Sequence, residues 1–181
     1  MRQYYYMIAS LPLLEYNSPP PLDLEQLYYS CKNNIQQDDL DLISDIRLHM
    51  PEETASKEPT LRKWLDWERS LRNELVRLRG QKQGVESERY LREGEFVPDT
   101  VLSAREAFSQ DSPLEGEEVL NRARWNKLEE LEVGHHFDLV KLLVYVLKLH
   151  LLLRRSHFTT EKGREKFEEI YAHIPVSYTH L

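Results

Sequence analysis

From Thr60 onward the apolar positions Leu61, Trp64, Leu71, Leu75 and Leu78 recur three and four residues apart, with Glu68 as the one polar interruption. That seven-residue repeat predicts a long helix from Thr60 to about Gln83, closed by Gly84. Trp67 widens the apolar stripe. A helix of this length spans about 30 Å and needs a partner helix, either in this chain or in another subunit.

A second pattern is denser. Between Leu139 and Leu153, 12 of 15 residues are apolar, and Asp138, Lys141, Lys148 and Arg155 fall on one narrow stripe with Tyr145 between them. Insertion into a bilayer would gain about 6 kcal/mol from the apolar residues, but the two lysines alone would cost about 5–7 kcal/mol. The run is also short of the roughly 20 residues a span requires. It is therefore expected to be the enclosed central helix of a soluble bundle.

The rest of the chain reads as shorter helices. Asp23, with Gln26 three residues on, predicts a capped helix carrying Leu24, Leu27, Tyr28, Cys31 and Ile35. Another is expected from Asp38–Asp39 through Leu42, Ile43, Ile46 and Met50 to Pro51, followed by a loop in PEETASKEP. Residues 84–98 are polar, and Asp99 opens a short helix through Phe108. Ser112–Pro113 predicts the start of a helix that ends at Gly134. A last helix is expected from Thr159 or Thr160 through Phe167, Ile170 and Tyr171. The fold class is all-α, one helical domain over residues 1–174. The closing PVSYTHL (175–181) resembles translated adapter sequence, so a natural C-terminus different from this one is expected.

The opening MRQYYYMIASLPLL is too short for a membrane anchor and is broken by Pro12, with no small-residue cleavage site after it. Tyr4, Ile8 and Leu11 suit a short helix, and the tyrosine run also suits a strand. In either form the three rings are expected to pin this end against the central helix.

Charge narrows the function classes. The 181-residue chain carries a net charge of −7, which disfavours general nucleic-acid binding. Residues 61–82 are locally basic, 7 basic against 3 acidic, between acidic segments, so internal pairing or an acidic partner subunit is expected. A single cysteine, Cys31, points to a reducing compartment and reads as a core residue.

No arrangement of reactive residues stands out. His136, His150 and His157 share a helix face but lie 14 and 7 residues apart, about 21 and 10 Å along the axis, too far for one metal ion. His150 reads as a core histidine with a hydrogen-bond partner. The glycines of RGQKQGVES lack the Gly-Lys-Ser/Thr ending of a phosphate-binding loop. No cofactor, metal or catalytic residue is assigned. The candidate partner-binding residues are Tyr4, Tyr5, Tyr6, Trp64, Trp67 and Arg72, since Trp, Tyr and Arg dominate interfaces. The two tryptophans equally suit a core position.

YYYMIASLPLL with PPP, WERSLRNELVRLRGQKQG, RWNKLEELEVGHHFDLVKLLVYVLKL and TEKGREKFEEI together resemble a family of uncharacterised bacterial proteins encoded among the subunits of V-type (A/V-type) ATP synthases. The likeness covers most of residues 4–174, and members are usually longer. It implies a non-catalytic structural or adaptor subunit, or an assembly factor, of the rotary ATPase. A distant similarity to the all-helical adaptor seated between the rotor stalk and the membrane ring of these machines implies V-type ATPase subunits on the central-stalk or membrane-ring side as partners. Cytoplasmic placement, peripheral to the membrane and without insertion, is implied too. The alternative is an unrelated helical enzyme or ligand-binding domain, with its site near Gly134–Asp138 or beyond the present C-terminus.

Overall fold

The computed structural model describes residues 4–157, and within them the chain is all-α. The elements are α1 (Tyr5–Ser10), α2 (Leu24–Lys32), α3 (Gln37–Asp45), α4 (Glu52–Ala55), α5 (Pro59–Gln83), α6 (Asp99–Phe108), α7 (Pro113–Leu131) and α8 (Leu139–His157). A short 3-10 turn, Glu88–Tyr90, interrupts the polar connection between α5 and α6.

Local chemistry sets the ends of these helices. The Asp23 carboxylate accepts from the Gln26 amide, and the Gln26 side chain accepts from the Asp23 amide in return. Ser112 and Glu115 make the same reciprocal pair at the start of α7. At α5 the Glu58 carboxylate accepts from the amides of Thr60 and Leu61, and Pro59 supplies the first-turn φ. The helix stops at Gly84, whose φ of 65° is left-handed backbone that favours glycine. Gly116 has a different role: a Cβ there would meet the Ala107 carbonyl oxygen at 2.7 Å, so its hydrogen lets α7 approach the end of α6.

Helix α5 packs on α4, α6 and α7, while α6 lies on α7, α7 on α8, α3 on α8, and α2 on α3. The partner that the heptad seam requires is thus found within the chain. Helix α8 is the enclosed element, with Val140, Leu142, Leu143, Val144, Val146, Leu147, Leu149, Leu151 and Leu152 all buried. No helix among the described residues is long and apolar enough to cross a membrane.

The polar stripe of α8 is stapled to its neighbours. Lys148 and Lys141 donate to the two oxygens of Glu132, at 2.7 and 3.0 Å. Asp138 accepts from the Lys141 amide and from His135, and Arg155 grips Glu118 through two nitrogens. Burial alone would raise the Glu132 pKa, but the hydrogen bonds from Lys148 and Lys141 outweigh it and hold the carboxyl below its ordinary 4.5. A carboxyl depressed in the fold contributes stability above its unfolded pKa and loses it as pH falls. The melting temperature is therefore expected to drop as pH goes below about 4.5. Glu132→Gln should flatten that slope while lowering stability at neutral pH, as thermal denaturation across the acid range would show.

Three expectations need correction. Helix α3 ends at Asp45, before Met50: Ile46 turns extended, and the chain bends through Leu48 and Met50, whose side chains still reach the core. PEETASKEP is not all loop, because Glu52–Ala55 forms one helical turn that buries Thr54 and Ala55. The tyrosine run does not act as a unit. Tyr4 alone is buried, and it reaches α3, where its hydroxyl donates to Asp39, rather than the stripe of α8. The helix expected after Thr159 and the 175–181 tail lie outside the described residues.

Candidate functional site

Two features stand out from the packing: a buried ionic network between α5 and α7, and an aromatic edge carried by the N-terminal strap. Glu68, the polar interruption of the α5 seam, is only 2% exposed. Arg124 on α7 chelates it, Nε to Oε2 at 3.0 Å and Nη2 to Oε1 at 3.1 Å. Arg72 Nε also donates to Glu68 Oε1 at 3.0 Å, one helical turn along α5, and His49 Nε2 lies 3.4 Å from the same oxygen. On its far side Arg124 Nη1 donates to Glu117 and Asn121, and Arg154 of α8 donates to Glu117. The network thus joins α5, α7 and α8 through the interior.

Electrostatics keeps these charges together. Burial works against the Arg124 charge, but Glu68 and Glu117 outweigh it and hold the guanidinium pKa above its ordinary value. Burial pushes the Glu68 carboxyl upward, opposed chiefly by Arg124. At Arg72, burial and then the neighbouring charges of Arg124 and Arg92 bring the pKa down to about 10. Sequence reasoning singled out Glu68 without finding Arg124. The signal was there: Arg124 falls four residues after Leu120 and four before Leu128, on the buried face of its helix.

The strap is residues 4–22. The Tyr4 amide donates to the Phe137 carbonyl at 2.6 Å, and the Tyr145 hydroxyl of α8 donates to the Pro12 carbonyl at 2.8 Å. Buried Tyr16 donates to Glu118 Oε1, and its ring lies near the guanidinium groups of Arg122 and Arg155, 3.6 and 4.4 Å from its centroid. Held at these points, the strap exposes Tyr5 by 59%, Tyr6 by 89% and Leu13 by 79%, with the Tyr5 ring stacked on Phe137. Tyr4→Phe removes the bond to the buried Asp39 carboxylate and is expected to cost about 1.5 kcal/mol, measurable by urea denaturation.

The residues expected to meet a partner are not one surface. Tyr5 and Tyr6 are exposed on the strap, whereas Tyr4, Trp64 and Trp67 are buried. The two indoles stack 5.7 Å apart and are anchored through Nε1, Trp64 to the Leu48 carbonyl and Trp67 to Asp99. They are core, because the α5 seam that carries them faces α6 and α7. Arg72 is 34% exposed and serves Glu68. The basic run of α5 pairs within the chain, Arg62 with Asp66, Arg69 with Glu52 and Asp66, and Arg77 with Glu74.

Around Gly134–Asp138, His135 and Asp138 bond to each other at 2.5 Å at the start of α8. Burial opposes the Asp138 charge, yet His135 and the Lys141 amide hold its pKa below the ordinary value. Burial lowers the His150 pKa, the Arg47 charge adds to that, and a hydrogen bond with the Ile46 backbone opposes both. No metal-ligating group of residues occurs among the described residues. No curated protein and no solved structure matches the chain. Residues 97–176, which take in α6, α7 and α8, match the model of a family described as a protein of unknown function (DUF2764).

Proposed function

We propose that the protein is a non-catalytic docking component of a V-type ATP synthase, acting in the cytoplasm as a structural or adaptor subunit or as an assembly factor. Its partners in this reading are ATPase subunits on the central-stalk or membrane-ring side. The motifs spread over residues 4–174 support the choice of complex through their family resemblance. The observation that carries the docking role is the strap: Tyr5, Tyr6 and Leu13 are exposed on a segment fixed by Tyr4, Tyr16 and Tyr145. Aromatic side chains already held in place lose little freedom on binding, which is what an interface hot spot needs. The ionic network adds charged ties between three helices, α5, α7 and α8, that also pack through the apolar core.

The test is purification of the ATPase from cells carrying a tagged copy of this chain. The tagged protein is expected to co-purify with the complex, and Tyr6→Ala together with Leu13→Ser should reduce recovery without changing the melting temperature. Absence from the complex, with ATPase assembly unchanged on deletion of the gene, removes the proposal.

A further inference from the structure

A cleft of about 440 Å³ lies beside the ionic network, lined by His49, Arg69, Arg72, Arg92 and the carboxylates Glu52, Glu68 and Glu93. Its formal charges cancel, three arginines against three glutamates, but not all of the guanidinium N–H donors are used. Glu52 is engaged by Arg69 at 2.5 Å, and Glu68 is chelated from behind by Arg124. Arg72 spends one nitrogen on Glu68 as well, and Arg92 lines the same cleft with His49 and Glu93.

Both arginines have donors to spare: the Arg72 side chain is fixed by Glu68, and Arg92 is fixed through its backbone. Arg72 uses Nε on Glu68, and its two terminal amino groups make no hydrogen bond among the described residues. Arg92 belongs to the polar connection after α5, yet its backbone is fixed to that helix. Its amide donates to Asn73 Oδ1 at 3.0 Å, and its carbonyl accepts from Asn73 Nδ2 at 2.8 Å. This pair of hydrogen bonds holds the Arg92 backbone against α5, and Arg72 and Arg92 line the same cleft. The Arg92 side chain is exposed and makes no ion pair among the described residues. Burial comes first in lowering the Arg72 pKa, and the positive charges of nearby Arg124 and Arg92 add to it.

Two guanidinium groups from separate segments, each with unused planar N–H donors, match an oxyanion that offers several acceptor oxygens. We propose that Arg72 and Arg92, with His49 at the edge, bind a phosphate group in this cleft, as inorganic phosphate or as a phosphomonoester. The proposal is independent of the ATPase reading.

Isothermal titration of the full chain with inorganic phosphate, at ionic strength held constant with chloride, tests it. Saturable one-site binding is expected, with acetate at the same concentration failing to compete. Arg92→Ala should weaken phosphate binding by about tenfold or more while circular dichroism and the melting temperature stay unchanged. Arg62→Ala, which removes an exposed arginine paired with Asp66 elsewhere on α5, should leave binding as it was. No saturable binding, equal competition by acetate, or unchanged affinity in Arg92→Ala would each overturn the assignment. Arg72→Gln adds a second reading wherever it folds, and Arg92→Ala decides where it does not.

Discussion

Arg124→Ala is expected to lower the stability of the fold by about 3–5 kcal/mol, because it strands the Glu68 carboxylate inside the bundle. For a chain of this size that corresponds to a fall of roughly 6–20 °C in melting temperature. Glu68 would keep only Arg72 Nε and the more distant His49, and Glu117 would lose one of its two arginines. The pair itself is a different matter from its halves. Replacing both members with apolar residues of similar volume, Glu68→Leu with Arg124→Met, is expected to restore most of the loss, since taking two charges out of water cancels much of their attraction. Urea denaturation of the two single variants and the double variant gives the coupling directly. A double variant no more stable than either single one would show that the ions do more than satisfy each other.

Trp64→Ala is expected to cost about 3–5 kcal/mol through the cavity it opens. The indole is fully buried, stacked on Trp67, and donates Nε1–H to the Leu48 carbonyl at 3.2 Å. Trp64→Phe refills part of the space but leaves that carbonyl without its donor, so an intermediate loss of about 1–3 kcal/mol is expected. Chemical denaturation followed by the fluorescence of Trp67 and Trp125 would rank the two variants. Leu48 belongs to the bend between α3 and α4, so Trp64→Ala should also loosen that connection, visible as faster amide exchange at residues 46–50.

What was legible in the chain is what is written locally. Three- and four-residue spacing from Leu61 to Leu78 marks α5, and Ser112 with Glu115, or Asp23 with Gln26, marks a helix start, because each pattern acts over a single turn. The enclosure of α8 was readable for the same reason: its apolar residues surround one narrow polar stripe. Partnerships across the fold were not. Glu68 and Arg124 are 56 residues apart, and Tyr4 and Asp39 are 35 apart, so no spacing rule connects them. The early end of α3 and the single turn of α4 escaped because burial of Ile46, Leu48, Met50 and Ala55 is a tertiary gain that overrides the local pattern. Of the candidate surface, only Tyr5, Tyr6 and part of Arg72 reach solvent. Trp64, Trp67 and Tyr4 show that a bulky aromatic at helical spacing is as well suited to filling an interior.

The strap also has a consequence for synthesis. Its fastenings reach forward along the chain: Tyr4 to Phe137, Pro12 to Tyr145, and Tyr16 to Arg155, the last a separation of 139 residues. At about 5–20 residues per second, a ribosome needs roughly 7–28 s to make the distant partner after the tyrosine has been polymerised. Through that interval Tyr16 and the Pro12 carbonyl lack their α8 partners, although Tyr4 can already bond Asp39, so the segment is only partly fastened until the last described helix emerges. Closure of this segment is then a late event of biogenesis, and an early stop codon before α8 should yield a product that chaperones retain.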